Sequence, residues 1–266
     1  MLAGYDNLTQ KSKGVLTGLN GYNVDTPYQM IGFNQKYSKL KLIETIAGSE
    51  SFMQVSPAHA RASFYTVWGD IGIAYVSSKW QVGLDGQYGY SFLNTKRYID
   101  YLGLKATSNH NAWNASGLLR IGYDIVRDNS SVTPYNNLSY IYGRENNYTE
   151  SGAPGANLNV KDESISTIRN QAGLKIKKPV SRYAHILFDG AWLYEKYLND
   201  QNYSASFAGT NVFGSFKQIV PTKNYARFEA GFIFRKDRLD LEFIYTGLYA
   251  RKFAESSGSM KFGYKY

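Results

Sequence analysis

Cysteine is absent from this sequence, which removes disulfides, cysteine-ligated zinc and thiol catalysis together. Only three histidines occur, His59, His110 and His185, and none stands in an HxH or HExxH pattern or beside a carboxylate at ligand spacing. No catalytic metal and no cofactor is therefore expected. A GxSxG elbow and a phosphate loop are missing as well, so no catalytic residue is assigned and the chain does not read as an enzyme. No window approaches the roughly 18 to 20 apolar residues that a membrane-spanning helix needs, which excludes a helical membrane protein. The opening stretch "MLAGYDNLTQKSKG" has no apolar signal-peptide core, pointing to a cytosolic chain, a mature product or a fragment of a longer precursor. Proline is scarce too, with six residues against 25 glycines.

What is abundant is aromatic. Phe, Trp and Tyr make up 16% of 266 residues, 24 of them Tyr, and that balance favours strands over helices. The formal net charge is +9, but Lys and Arg are scattered along the chain rather than clustered, so nucleic acid is not the expected partner. A mean hydropathy of -0.40 does not exclude a membrane barrel, whose lipid-facing residues alternate with wet ones.

Alternation is the dominant local signal. Trp80, Val82, Leu84, Gly86, Tyr88, Tyr90 and Phe92 hold one parity, while Gln81, Gly83, Asp85, Gln87, Gly89 and Ser91 hold the other. The same period of two runs through residues 65–75, 113–125, 134–142, 168–176, 184–194, 228–234 and 239–249, with two further candidates in "KGVLTGLNGY" and "YQMIGFNQKY". The last is "GSMKFGYKY", whose Met260, Phe262, Tyr264 and Tyr266 share one face. The reading is of eleven strands, most of roughly 10 to 15 residues, against about five or six in soluble sheets and about nine to eleven in membrane barrels. Short connections ("NVDTP", "VSSK", "RDNSS", "KPVSR" and "RKDR") alternate with long polar ones at residues 41–61, 94–110, 146–162 and 200–222. Short turns on one rim and long loops on the other describe an all-β, antiparallel transmembrane β-barrel in a bacterial outer membrane. The competing fold is a soluble β-sandwich, whose strands are shorter and loops less asymmetric.

On the polar parity stand Asp85, Arg120, Asp124, Arg169, Lys175, Asp189, Arg227, Glu229, Asp240 and Glu242, a mixture of both signs. In a lumen these side chains would pair across strands and contact a threading peptide; mere solvation of a wet interior is the plainer account.

The run "YNNLSYIYGRENNYTESGA", followed by "LNVKDESISTIRNQAGLKI", "AWLYEKY", "YARFEAGFIF" and the aromatic C-terminus, resembles the autotransporter β-domain of type V secretion. The Tyr- and Lys-rich tone is similar to the barrels of chlamydial polymorphic membrane proteins. The resemblance implies a twelve-stranded barrel over residues 1–266 that anchors and assists export of an N-terminal passenger, with a linker in the pore. It implies as partners outer-membrane lipid, the barrel assembly machinery and the protein's own passenger segment, and a monomeric state. Met260, Phe262, Tyr264 and Tyr266 would then be the assembly signal. With only eleven strands found, and "NVDTP" already between the first two, the first strand and pore helix are expected to be missing upstream of Met1. The alternatives are a passive porin-like or adhesin-type barrel and, further off, a soluble β-rich binding protein.

Overall fold

The computed structural model describes residues 2–10, 21–56, 60–127, 129–199, 202–210, 212–217, 224–250 and 253–264. Among these, twelve long strands are joined edge to edge: β1 (Leu2–Gln10), β2 (Gly21–Tyr37), β3 (Leu40–Ser56), β4 (Ala60–Val76), β5 (Trp80–Ile99), β6 (Leu104–Tyr123), β8 (Ser130–Glu145), β11 (Glu163–Pro179), β12 (Ala184–Tyr197), β15 (Asn224–Lys236), β16 (Leu239–Ala250) and β17 (Phe253–Tyr264). Short strands fill the connections: β7 (Ile125–Arg127), β9 (Tyr148–Thr149), β10 (Leu158–Val160), β13 (Asn202–Phe207) and β14 (Gly214–Lys217).

The pairings close on themselves. Each long strand is antiparallel to its neighbours, β8 pairs with β11 across the 146–162 connection, and β1 lies between β17 and β2. Cα partners followed from Leu40 through Tyr75, Val82, Ile121, Asn136 and Ala172 continue through Trp192, Ala226, Tyr249, Ala254, Thr9 and Asn23. The circuit returns to β3 at Gln54, fourteen positions above its start. Twelve strands with that stagger require a tilt of about 39° and a backbone radius of about 12 Å. Among the described residues closure pairs each long strand on both sides over at least part of its length, with 31–37 of β2 and 262–264 of β17 running past the start of β1. Pairing matters because each unsatisfied backbone group in lipid costs several kcal/mol.

Several expectations are corrected here. The strand count is twelve, not eleven, because Leu2–Gln10 supplies the partner of the closing strand that was expected upstream of Met1. "NVDTP" is interior to β2, and the first short turn is instead at residues 38–39, where Ser38 takes a positive φ of 56°. Most of "KGVLTGLNGY" lies outside the described residues. The supposed loop at residues 41–61 is β3 followed by the start of β4, and the one at 94–110 is the continuation of β5 and β6 around a 3-10 turn at Asp100–Leu102. The reason is local: Glu44 and Glu50 sit on the outward parity of β3, and paired Asn94 and Asn109 on that of β5 and β6. Polar residues on both faces hide a strand from any reading that depends on alternation.

The two rims differ as expected. The turns at 38–39, 77–79, 124–129, 180–183 and 237–238 lie at the end where β1 begins and β17 stops, since Leu2 is opposite Lys261. At the other end, residues 146–162 and 202–217 contribute a second sheet in the order β14-β13-β10-β9. That loop sheet is fastened to the barrel. Arg97 donates to Glu150 Oε1 at 3.0 Å and to the Ala156 carbonyl at 2.9 Å, beside a small apolar cluster of Ile99, Leu104, Ala106, Ala153 and Ala156. His110 stacks on Tyr148 at 3.9 Å between ring centroids and bonds Glu145 at 2.8 Å.

Inside and outside follow the pleat. On β12, Leu187, Asp189, Leu193 and Glu195 are 4 to 6% exposed, while Phe188, Trp192 and Tyr194 between them are 42 to 58% exposed. The exposed face is the apolar one, the inverse of a soluble protein and what lipid selects. Aromatic rings bracket it: Trp80 packs edge-on against Tyr123 near the short-turn rim, and Tyr65, Phe92, Trp113 and Tyr142 gather toward the other. Trp80 and Phe92, twelve residues apart on β5, are separated by about 30 Å along the barrel axis, close to the height of a lipid-facing band. Met260, Phe262 and Tyr264 are all on this outward face, about half exposed; Tyr266 lies outside the described residues.

Candidate functional site

Nine of the ten polar-parity residues singled out from the sequence occupy inward positions of the ring, as the register of their strands requires, and Asp124, just past the end of β6, bonds the inward Gln81 and Thr133. Most are joined across neighbouring strands. Arg120 on β6 grips Asp85 on β5 with two bonds, Nε to Oδ2 at 2.9 Å and Nη2 to Oδ1 at 2.5 Å. Asp124 accepts from Gln81 at 2.6 Å and from Thr133 at 2.5 Å, tying β5, the end of β6 and β8 together. Arg169 on β11 donates to Glu195 on β12 at 2.6 Å. Asp240 accepts from Arg235 at 3.1 Å, and Glu242 stands opposite Lys261.

Asp189 is the hub. It is 5% exposed, accepts the Tyr135 hydroxyl at 2.7 Å, and faces Lys175 Nζ and Arg227 Nη1, each at 3.8 Å. Arg227 also bonds Glu229, which accepts in turn from Thr246 at 3.2 Å. Partners thus arrive from β8, β11, β15 and β16 onto β12 and β15.

The polarity of these pairs is one-sided. The Asp85, Glu195 and Asp189 side chains are 8%, 7% and 2% exposed, whereas Arg120, Arg169 and Lys175 are 50%, 41% and 45% exposed. Carboxylates lie deep against the wall and the cations project into the channel. A cavity of about 460 Å³ opens in front of them, lined among others by Arg120, Tyr135, Lys175 and Arg227. Such a wall offers guanidinium and ammonium donors to the carbonyls and carboxylates of a polypeptide.

Because Asp189 holds two cations and a phenol while shielded, Asp189→Asn should destabilise the folded barrel by about 1 to 3 kcal/mol. Lys175→Met, removing a half-exposed partner, should cost under about 1 kcal/mol. Urea unfolding in detergent compares the two; a reversed order would remove Asp189 from the centre of the network.

Sequence reasoning placed Gln171 on the polar parity without making it a candidate, and missed Tyr135, Glu195, Tyr225 and Arg235. Glu195 accepts from Tyr225 at 3.2 Å, and Gln171 donates to the Tyr135 hydroxyl at 2.8 Å. Glu195 and Arg235 were visible on the polar parity, but inward tyrosines were not, because a parity count scores Tyr as apolar.

The family model described as the autotransporter beta-domain matches residues 4–246. Among solved structures, the translocator domain of autotransporter NalP from Neisseria meningitidis superposes with a TM-score of 0.79 at 16% identity, covering 100% of this chain and 87% of that one. The transport unit of autotransporter AIDA-I from Escherichia coli gives 0.71 at 11%, covering 100% and 89%. The β-domain of the Bordetella autotransporter BrkA gives 0.63 at 8%, covering 100% and 98%. No curated protein matches the chain by sequence.

Proposed function

The chain belongs to the autotransporter β-domain family, an outer-membrane translocator, and from that premise we propose that its cation-lined lumen is the passage for the protein's own passenger segment. The observation that carries this is the closed twelve-stranded ring with an apolar exterior and paired charges turned inward. The barrel anchors the protein, and a linker preceding β1 occupies the channel against Arg120, Arg169 and Lys175. The reading gives the chain a transport role and no catalytic one, and takes it as a monomer in outer-membrane lipid. The outward stripe of Met260, Phe262 and Tyr264, together with the C-terminal Tyr266 of the sequence, is read as the element recognised by the barrel assembly machinery.

A reporter passenger fused upstream through the preceding native segment, behind a signal peptide, tests the reading. Expected is a reporter digestible by protease on intact cells, with digestion lost when β1 is deleted. A correctly inserted barrel whose reporter stays protected would favour the passive porin-like alternative.

A further inference from the structure

The net positive charge of the chain has a location that the linear sequence conceals. Every one of the five short turns carries a cation, namely Lys39, Lys79, Arg127, Arg182 and Arg238. On the opposite rim Arg97 is paired with Glu150 and Arg144 with Asp162. At the short-turn rim the turns at 180–183 and 237–238 are brought side by side, because β12 pairs with β15. The Arg235 amide donates to the Tyr183 carbonyl at 2.7 Å and locks the first turn onto the base of the neighbouring strand.

The result is a compact basic cluster. Arg182 Cζ lies 5.5 Å and Lys236 Nζ 5.8 Å from the centroid of the same Tyr183 ring, which packs against outward-facing Phe234 at 6.4 Å. Lys178 and Arg238 are exposed beside them. None of these four cations forms an ion pair among the described residues, and Asp237 is the sole carboxylate within the two turns. Like charges converging on one ring repel each other unless an anion neutralises them.

The position of the cluster selects the anion. Tyr183 and Phe234 continue the aromatic girdle of that rim, and aromatic girdles sit at headgroup level. Cations just beyond that girdle are at the depth of lipid phosphates. We propose that the adjacent short turns at 180–183 and 237–238 form a binding site for the phosphate head group of an anionic phospholipid in the leaflet they face, with Arg182 and Lys236 as its principal contacts.

The barrel is reconstituted in nanodiscs of equal parts phosphatidylcholine and phosphatidylglycerol, and lipids retained after release are counted by native mass spectrometry. Wild type should retain phosphatidylglycerol over phosphatidylcholine by about 25-fold, falling with added salt, since each of the two principal cations near an anionic surface is worth about fivefold. Arg182→Gln/Lys236→Gln should lose most of that preference, while Lys96→Gln/Lys105→Gln on the far rim should keep it. Heat-modifiable migration verifies folding, and single Arg182→Gln carries the same comparison should the double variant not fold. Equal retention of the two lipids by wild type, or an undiminished preference in the folded variant, overturns the proposal. So does polyglutamate binding to barrels in phosphatidylcholine alone that the double variant abolishes without any lipid preference in wild type, which would assign the cluster to an acidic polypeptide.

Discussion

Gly173→Val should cost the folded barrel about 3 to 5 kcal/mol and abolish its resistance to unfolding in cold detergent gels. Gly173 faces Tyr135 directly across the β8–β11 pair. A Cβ there would come within 2.6 Å of the Tyr135 Cζ and hydroxyl and 2.8 Å of the Ala191 Cβ. The tyrosine lies over the glycine because only a bare backbone leaves room for the ring. A larger residue must expel it, and overpacking alone costs about 1 to 3 kcal/mol. Expulsion also strips Asp189 of the hydroxyl at 2.7 Å and Gln171 of its acceptor at 2.8 Å, leaving shielded polar groups unpaired for about 1 to 3 kcal/mol more. Tyr135→Phe separates the contributions, since it keeps the ring and loses the bonds. Gly86→Ala is the control: it faces outward with nothing within 4 Å of an added Cβ, and should change stability by no more than about 0.5 kcal/mol. A Gly173→Val barrel that melts with wild type would show that the ring has another place to go.

Leu84→Arg should destabilise the inserted barrel by about 2 to 4 kcal/mol, the cost of a cation near the middle of the lipid-facing band. Leu84 is 58% exposed and stands between Ile73 and Leu119 on the adjoining strands, between the two aromatic girdles. Ile121→Arg, on the next strand and nearer the rim, should cost less, because a long side chain can snorkel to the headgroups. Gln87→Arg, three positions along β5 but facing the lumen, should cost under about 1 kcal/mol because its head stays in a wet, polar channel. Reversible folding into liposomes measures all three. Equal losses at Leu84 and Gln87 would contradict the division of the two faces between lipid and lumen.

Those two faces were legible in the amino-acid order, because alternation is written into adjacent residues: Leu84 and Asp85 point apart in any extended chain. The same local property located four of the five short turns, the outward stripe ending in Tyr264, and the inward placement of nine of the ten charged candidates. It failed at β3, where Glu44 and Glu50 erase the pattern, and at β1, whose identity as a strand depends on β17 about 250 residues away. Ring closure is a global condition: whether Leu2–Gln10 completes the barrel depends on the summed stagger of twelve pairings, which no window of sequence contains. Partner choice is equally non-local. Nothing near Asp189 in the chain announces Tyr135, Lys175 and Arg227, and nothing in the spacing of Arg182 and Lys236 foretells that they share one tyrosine ring. Periodicity determined which side chains meet lipid and which meet the lumen, since that depends only on the pleat. The tertiary structure decided how many strands close, which charges are paired and where the unpaired cations gather, since those depend on register around the whole ring.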